Sequence, residues 1–165
     1  MINFRPAQTS DLPSICTFPQ TAEELFFFAP KATFPLQPES FKAIISKRSH
    51  PTVALLEDEL AGFATLYRKN PGDHCFICNM IVAPQLRGHG VCKALIEQME
   101  KIAQHHHPCS EIHLSCFGHN LSALLLYSRL GFSPYAVEEC VDYRNKRVAL
   151  LHMLKKLPEA CHILK

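Results

Sequence analysis

The spacing of apolar residues along the chain predicts one element of secondary structure after another. Alternating apolar and polar residues predict seven strands, at 2–5, 52–57, 60–68, 74–82, 112–116, 135–142 and 147–154. Helical spacing predicts helices at 21–28, 39–48, 88–106 and 121–129, after a possible short turn of helix beginning near 9–13. Thr21 with Glu24, and Asn120, are capping residues at two helix starts, and Gly131 stands where a left-handed residue ends the last helix.

The order of these elements predicts an α/β fold. Strands 52–57 and 60–68 are separated by a two-residue turn and should form an antiparallel hairpin. The strand–helix–strand passage from 74 to 116 should be parallel and right-handed. We therefore expect one domain over residues 1–165, with a mixed sheet of about seven strands, helices on both faces and an exposed tail at about 158–165.

Composition narrows the class of protein. The 165 residues are 47% hydrophobic and 19% charged, as in an ordinary globular domain. A net charge of +2 and scattered basic residues argue against nucleic-acid binding. No apolar run is long enough to span a bilayer, and the N-terminus lacks the features of a signal peptide. Eight cysteines without a secretory signal predict reduced thiols in a cytoplasmic protein.

Two clusters of potential metal ligands are incomplete. Cys75 and Cys78 lie three apart in a predicted strand and should face opposite sides of the sheet. No second pair completes four ligands, so core cysteines are favoured over zinc. The run 105–107 of three histidines, followed by Cys109, is favoured as a solvated helix end. We predict no metal.

The chain is organised around the stretch from Asn79 to Leu95, which predicts the end of a strand, a glycine-bearing turn and the start of a helix. Gly88 and Gly90 permit positive-φ backbone that approaches a ligand closely. Consecutive N–H groups and the helix dipole then favour a phosphate or pyrophosphate. The P-loop motif is absent, and the third glycine of a dinucleotide fingerprint is replaced by Lys93.

A different glycine loop fits these residues. Gln85-x-x-Gly88-x-Gly90, preceded by residues 82–84, resembles the acyl-coenzyme A loop of the GNAT N-acetyltransferase superfamily. A second block, Asn120-x-x-Ala123-x-x-x-Tyr127-x-x-x-Gly131-Phe132, resembles the second motif of the same superfamily. Both blocks occur in the family's order and separation, and the resemblance extends over essentially the whole chain.

The resemblance implies a binding site for acetyl-coenzyme A (acetyl-CoA). The strand end, Met80 to Val82, would pair with the pantetheine arm through its backbone, and the loop would bind the pyrophosphate through its N–H groups. The side chains of Arg87 and Lys93 would add contacts to phosphate, unless they belong only to a solvated helix start. The implied cofactor-binding set is Met80, Ile81, Val82, Gln85, Leu86, Arg87, Gly88, His89, Gly90, Val91, Cys92, Lys93 and Asn120. Cys92 departs from the family, which usually has Gly or Ala there.

Two residues of the second block each have two possible roles. Asn120 would cap its helix, and its amide would also meet the pantetheine arm. Tyr127 is either a core aromatic or, as the resemblance implies, the catalytic acid that protonates the departing coenzyme thiolate. We favour the acid, because a phenol with a pKa of about 10 is protonated at neutral pH.

The chemistry implied is direct attack of a neutral amine on the thioester, which requires a base. Many relatives use a strand carboxylate, but the fourth strand offers only Asn79 and His74, with Asp73 in the preceding turn. His113, Glu57 and a water-mediated route therefore stay open.

The acceptor side is less defined. In the family, the region containing Phe26, Phe27, Phe28 and Phe34 covers the acceptor, although core packing is the alternative for most of these rings. We take Phe27, Phe28 and Asn79 as candidate substrate residues.

The sequence thus predicts an N-acetyltransferase that acetylates a primary amine, on a small molecule or on a protein N-terminus or lysine. The alternative is a GNAT-fold module that senses acyl-CoA without turnover. We expect no nucleic-acid or membrane partner, and a monomer or a homodimer.

Overall fold

The structure is a computed structural model that describes residues 1–72 and 74–159. Its strands are β1 (Ile2–Pro6), β2 (Ser49–Leu56), β3 (Glu59–Tyr67), β4 (Cys75–Val82), β5 (Glu111–Phe117), β6 (Ser133–Val141) and β7 (Arg147–Lys156). Its α-helices are α1 (Leu12–Ile15), α2 (Ala22–Phe28), α3 (Pro38–Ile45), α4 (Val91–His106) and α5 (Leu121–Arg129), with 3-10 turns at Thr9–Asp11 and Pro84–Leu86. The α/β class and the seven strands are as predicted.

The strands form one sheet in the order β1-β2-β3-β4-β5-β7-β6. The β2–β3 hairpin is antiparallel, as predicted, and β4 and β5 are parallel neighbours joined by α4. β7 lies between β5 and β6 and is antiparallel to both. The final hairpin therefore returns its second strand to β5 and leaves β6 at the sheet edge.

Apolar clusters occupy both faces of the sheet, as the sequence predicts. On one face α4 buries Val91, Leu95 and Met99 against the sheet. The helix approaches so closely because Gly62 has no side chain: a Cβ there would lie 2.8 Å from the Leu95 Cδ1 atom. We refer to this side as the α4 face.

On the opposite face, α1, α2 and α3 enclose a second cluster, in which the rings of Phe28, Phe41 and Phe63 meet. Phe41 lies 5.4 Å from Phe28 and 5.3 Å from Phe63 between ring centroids. We refer to this side as the α2 face.

Three local predictions need correction. The helix predicted from 88 begins at Val91, because Gly88 and Gly90 have φ of 81° and 79°, outside the helical region. Thr21 caps α2 by accepting from the Glu24 N–H, but the Glu24 carboxylate accepts from the Gln20 N–H rather than from Thr21. Asn120 occupies the N-cap position of α5, yet its side chain makes no capping hydrogen bond.

Across the residues that the structure describes, none of the helices combines the length and apolarity that crossing a membrane requires. Gly131 has φ of 94°, as predicted for the residue after α5. Of the predicted exposed tail, Pro158 and Glu159 are exposed, and residues 160–165 lie outside the described residues, as does Asp73.

Candidate active site

A gap opens in the sheet where β4 and β5 separate. The two parallel strands pair only at Cys75 with Ile112 and at Phe76 with His113. Beyond that point β4 continues along β3 as far as Val82, whereas β5 continues along β7 as far as Phe117. The edge of β4 that faces the gap therefore presents backbone groups that an extended ligand can pair with.

A β-bulge at Asn79 shapes the β4 side of the gap. Asn79 has φ of 49°, and the pairing with β3 shifts register between Phe63 and Thr65. The extra residue reverses the alternation, so that Ile77 lies on the α4 face whereas Ile81 lies on the α2 face. The bulge therefore redirects Met80 and Val82 toward the α4 side at the point where the gap widens.

Hydrogen bonds hold the bulge in place. The Asn79 amide oxygen accepts from the Arg48 Nε atom at 3.1 Å, and its amide nitrogen donates to the Phe28 carbonyl at 3.1 Å. The side chain thus ties β4 to α2 and to the end of α3. The Asn79 amide is thus already hydrogen-bonded within the protein. Its predicted role in the substrate site stays a prediction.

We expect Asn79→Ala to lower the free energy of unfolding by about 2–3 kcal/mol, because it removes the hydrogen bonds to Arg48, Thr65 and the Phe28 carbonyl and leaves a non-glycine residue in the left-handed region. Asn145→Ala is the matched control, since Asn145 also has a positive φ, of 60°, but lies in an exposed turn. Denaturant unfolding measures both. Equal losses would contradict the assigned role of the Asn79 amide.

The gap holds a cleft of about 480 Å³, which we call the β4–α5 cleft. Its walls bring the two sequence motifs together: Met80 to Val82 from β4 on one side, and Asn120, Ala123 and Tyr127 from α5 on the other. Nine predicted site residues line it, namely Phe27, Phe28, Met80, Ile81, Val82, Arg87, Cys92, Asn120 and Tyr127.

The glycine loop lies beyond the end of β4. A Cβ atom at Gly88 or Gly90 would have no heavy atom within 4 Å, so open space surrounds both. Gly90 is the N-cap of α4, and the N–H groups of the following first turn have no partner within the helix. The N–H groups of Leu86 and Arg87 instead donate to the carbonyls of Ala83 and Pro84. The loop N–H groups that are left for the predicted anion therefore begin at Gly88 rather than at Leu86.

Arg87 forms an ion pair that the sequence did not predict. Its guanidinium binds the Glu24 carboxylate in a bidentate pair, at 2.8 and 2.9 Å, and reaches the Phe18 carbonyl. These contacts tie the loop to α2 across the mouth of the cleft. Arg87 lines the cleft with its charge compensated by Glu24, and the phosphate contact of this side chain stays a prediction.

The remaining loop residues make fewer side-chain contacts than Arg87. Gln85 donates to the Glu59 carboxylate at 3.0 Å, which anchors the loop to the β2–β3 turn. The imidazole of His89 lies 3.1 Å from the Arg87 carbonyl. The Lys93 side chain is 60% exposed and 3.9 Å from Glu97, and is therefore free to reorient toward an anion. The Leu86 side chain is partly buried and the Val91 side chain is in the core.

The Arg87 pair lowers the pKa of Glu24, chiefly through the hydrogen bonds from the guanidinium. A depressed pKa in the folded state stabilises the fold above the unfolded pKa of about 4.3, and this contribution is lost as the pH falls through the lower folded value. Because both side chains are partly exposed, at 42% and 30%, we expect Glu24→Gln to cost no more than about 1 kcal/mol at pH 7.

The difference between wild type and Glu24→Gln should shrink as the pH falls below about 4.3 and disappear below the folded pKa of Glu24, as measured by denaturant unfolding across the pH range. Glu23→Gln, the same change one residue earlier, should have little effect at any pH. A Glu24→Gln loss that grows on acidification would contradict the role of this pair.

Tyr127 stands where two clefts meet. It lines the β4–α5 cleft and also a cleft of about 210 Å³ that has residues of both sheet faces in its lining, which we call the sheet cleft. Burial, with smaller contributions from Cys92 and Cys116, raises the pKa of Tyr127 well above its usual value. The phenol is therefore neutral at physiological pH and can donate its proton in a hydrogen bond to a developing anion.

Cys78 lines the sheet cleft, and burial raises the pKa of its thiol. Cys92 lines the β4–α5 cleft, and its sulfur lies 3.9 Å from the Met80 sulfur. Burial raises the pKa of Cys92 to about 11. A thiol with that pKa is protonated at neutral pH and is a poor nucleophile. The same holds for Cys116, whose pKa is raised by burial to about 12.

The sheet cleft runs from Phe27 and Arg48 across the sheet to Ser115 and Leu150. Phe27 is partly exposed and lines both clefts, and its role as a substrate residue stays a prediction. Phe28 is only 3% exposed, and its ring packs in the α2-face cluster. Phe28 nevertheless lines both clefts, and its substrate role stays a prediction. Phe26 is also buried, against Phe117, whereas Phe34 is 42% exposed.

The bases considered from the sequence lie outside both clefts. Glu57 is in the β2–β3 turn. His113 is only 5% exposed, and its Nε2 atom lies 2.9 Å from the Glu111 carboxylate. Among the residues that the structure describes, neither lines the β4–α5 or the sheet cleft.

His74, Glu111 and His113 form a cluster that the sequence analysis did not foresee. One nitrogen or oxygen atom from each lies within 4.8 Å of the others, which is a possible arrangement of metal ligands. The two imidazoles are stacked, however, at 4.4 Å between centroids and 13° between planes. The Nε2 atoms of His74 and His113 lie 3.2 and 2.9 Å from the same oxygen, Glu111 Oε1, so hydrogen bonds to Glu111 hold the cluster together.

Sequence reasoning also missed a hydrogen-bonded chain beside the sheet cleft. Ser115 on β5 lies 2.7 Å from the His152 Nδ1 atom on β7, and the His152 Nε2 atom lies 2.9 Å from the Glu138 carboxylate on β6. The alternation of each strand predicts which face these residues occupy, but only the strand order brings them together.

Comparison with known proteins places this architecture. A model of the acetyltransferase (GNAT) family matches residues 17–132, which is more than half of the 165 residues. Among curated proteins, none matches the sequence significantly. Many solved structures do match in three dimensions.

Three of these structures cover nearly the whole chain. The ribosomal-protein-S18-alanine N-acetyltransferase from Escherichia coli matches with a TM-score of 0.73 and 19% identity, over 100% of this chain and 99% of that chain. A GCN5-related N-acetyltransferase from Kribbella flavida matches with a TM-score of 0.74 and 26% identity, over 94% and 98%. The yncA protein of Salmonella typhimurium, solved with its cofactor acetyl-CoA, matches with a TM-score of 0.73 and 17% identity, over 97% and 96%.

Proposed function

The chain belongs to the acetyltransferase (GNAT) family, and on that premise we propose that it transfers the acetyl group of acetyl-CoA to a primary amine. The observation that carries this proposal is the β4–α5 cleft, where the edge of β4 and the second motif on α5 face each other. An extended thiol-terminated arm fits such a cleft, with its pyrophosphate at the glycine loop and its thioester near Tyr127.

The cofactor would be held by groups of three kinds. Backbone groups at Met80 and Val82 would pair with the amides of the pantetheine arm, as a neighbouring strand does. N–H groups from Gly88 into the first turn of α4 would bind the pyrophosphate, aided by the helix dipole. The Asn120 amide makes no cap bond and lines the cleft, so it is available to the arm.

The reaction would be direct attack of the amine on the thioester carbonyl, without an acetylated enzyme. The thiols of Cys92 and Cys116 have pKa values raised by burial to about 11 and about 12, which disfavours either as a nucleophile at neutral pH. Tyr127 would donate its proton toward the sulfur as the thiolate leaves. Binding of both reactants in adjoining clefts would supply most of the rate enhancement through proximity.

The acceptor would enter through the sheet cleft, which meets the β4–α5 cleft at Tyr127. Phe27 would line its path with an apolar surface. A protein N-terminus is one acceptor of this class, and one structurally similar enzyme is named for a ribosomal-protein alanine. A small-molecule amine or a lysine side chain is the other.

Release of free thiol from acetyl-CoA tests the proposal. The protein should release thiol in the presence of a panel containing small primary amines, peptide N-termini and lysine peptides, with stoichiometric acetylation of the active amine seen by mass spectrometry. Tight binding of acetyl-CoA with no turnover across the panel would contradict the transferase proposal and favour an acyl-CoA sensor.

A further inference from the structure

We propose that Ser115, His152 and Glu138 form the proton relay that removes a proton from the acceptor amine. This inference rests on the proposed function and names the base that the sequence left open. The three residues lie on β5, β7 and β6, which are consecutive in the sheet order. Their hydrogen bonds, at 2.7 and 2.9 Å, cross all three strands.

The relay lies on the side of the sheet that the acceptor would use. On β5, Ile112, Leu114 and Cys116 belong to the cluster on the α4 face. Since side chains alternate along a strand, Ser115 projects from the opposite, α2 face. Ser115 pairs directly with His152 across the β5–β7 ladder. In the structure as it stands, Ser115 already lines the sheet cleft.

Ser115 also shares a cavity with the proposed proton donor. Both Ser115 and Tyr127 line the sheet cleft, together with Phe117 and Met80. An amine in this cleft would therefore have the thioester end of the β4–α5 cleft on one side and the Ser115 hydroxyl on the other. This is the placement that a base for the attacking nitrogen requires.

The direction of each hydrogen bond follows from Glu138. An ionised carboxylate only accepts hydrogen bonds, so the His152 Nε2 atom must carry the hydrogen that it shares with Glu138. The His152 Nδ1 atom is then unprotonated and accepts the Ser115 hydroxyl hydrogen. The Ser115 oxygen keeps its lone pairs free for a hydrogen from an ammonium group in the cleft.

Each proton that leaves the acceptor ammonium has a defined destination. The ammonium gives one proton to the Ser115 oxygen while Ser115 gives its own proton to His152, so Ser115 is unchanged. His152 becomes an imidazolium that is held beside the Glu138 carboxylate, and it releases the proton to water at the partly exposed edge of the ring. The neutral amine then attacks, Tyr127 gives its proton to the departing sulfur, and the second proton that the nitrogen loses restores the Tyr127 phenol. The sum is ammonium plus acetyl-CoA giving amide, free thiol and one proton.

Other ionisable groups near His152 do not interrupt the hydrogen bonds of the relay. The Tyr135 ring on β6 is 6.2 Å from the His152 ring between centroids. The Tyr135 hydroxyl lies 3.0 Å from the His113 Nδ1 atom, and His113 in turn binds Glu111. These three residues therefore form a separate chain, which lies next to the relay and outside the sheet cleft.

The test compares the pH dependence of kcat/KM for wild type, Ser115→Ala, His152→Gln and Glu138→Gln, with one amine that wild type acetylates. At pH 7 we expect Ser115→Ala and His152→Gln to lose about 100-fold. The loss should shrink as the pH approaches the amine pKa of about 10, where the acceptor no longer needs a base. The dissociation constant for acetyl-CoA should not change.

Glu139→Gln is the matched control for Glu138→Gln. Glu139 is the next residue on β6, points to the other face of the sheet and pairs with Arg147. Its replacement should leave the pH profile unchanged. A loss that is constant across the pH range, in any relay variant, would indicate a structural role and overturn the relay.

Two further outcomes would also overturn it. Wild-type and Ser115→Ala rates that agree within a factor of two would exclude Ser115 and leave the transferase function intact. An acetyl group on Ser115 after incubation with acetyl-CoA alone, seen by mass spectrometry, would make the serine a nucleophile instead. Absence of wild-type turnover with every amine would contradict the proposed function itself.

One measurement tests the relay without turnover. Nitrogen-15 NMR of the wild-type protein at pH 8 should show His152 as the neutral tautomer with hydrogen on Nε2, and Glu138→Gln should relax this preference. Hydrogen on Nδ1 in the wild type would contradict the relay, because Ser115 would then have no acceptor for its proton.

Discussion

Replacement of Gly88 by glutamate is expected to abolish acetyl-CoA binding while leaving the protein folded. Gly88 has φ of 81°, and a Cβ there would meet no heavy atom within 4 Å. The side chain would therefore cost only the backbone strain, about 1–2 kcal/mol. It would, however, place bulk and negative charge where the pyrophosphate is proposed to bind. Isothermal titration calorimetry should show at least a 100-fold loss of affinity, a change of about 2.7 kcal/mol.

Gly72→Glu is the control that distinguishes an effect of backbone strain from an effect on ligand binding. Gly72 also has a positive φ, of 90°, and open space around a Cβ, but it lies in the turn before β4. Its replacement should produce similar strain and no change in affinity. If Gly88→Glu binds acetyl-CoA as wild type does, the loop is not the pyrophosphate site.

Replacement of Tyr127 by phenylalanine is expected to lower kcat by about 100-fold, the lower end of the usual contribution of a general acid. Acetyl-CoA affinity should change little, because the ring and its packing against Phe132 are kept. The raised pKa of Tyr127 keeps the phenol protonated throughout the neutral range, so the activity should not fall through ionisation of Tyr127 below about pH 10.

Steady-state kinetics with a single active amine measures this loss. Tyr67→Phe is the control, since Tyr67 is outside the residues that line the two clefts and its ring would still lie under Arg48. A Tyr127→Phe enzyme with wild-type kcat would return Tyr127 to the apolar core, which was the alternative that the sequence left open.

The parts of the site that depend on local chemistry were predictable from the sequence. Gly88 and Gly90 predict positive φ because no side chain opposes it, and both have it. The strand before the loop and the helix after it follow from apolar periodicity, within three residues at the helix start. Asn120 and Gly131 likewise marked the ends of α5 correctly, although Asn120 makes no cap bond.

The parts that depend on tertiary contacts were not predictable. The partner of Arg87 is Glu24, 63 residues away, and no local pattern connects them. The register of β4 past Asn79 depends on a bulge, and a one-residue shift reverses the face of every later side chain. Phe28 could not be separated from Phe27 by pattern, since both belong to one short helix with three consecutive rings.

The strand order had the largest consequence for chemistry. β7 lies between β5 and β6, so that Ser115 meets His152 and His152 meets Glu138. A simple order that follows the chain would have placed β6 beside β5 and separated Ser115 from His152. The proposed relay thus places the base on β5 and β7 rather than on β4, where many relatives carry a carboxylate.

The most direct test of the central claim is a crystal structure of the protein with coenzyme A. We predict that the pyrophosphate will accept hydrogen bonds from N–H groups between Gly88 and Lys93, that the pantetheine arm will lie along Met80 to Val82, and that the sulfur will be within hydrogen-bonding distance of the Tyr127 hydroxyl. Coenzyme A bound away from the β4–α5 cleft, or with its sulfur remote from both Tyr127 and the sheet cleft, would contradict the account.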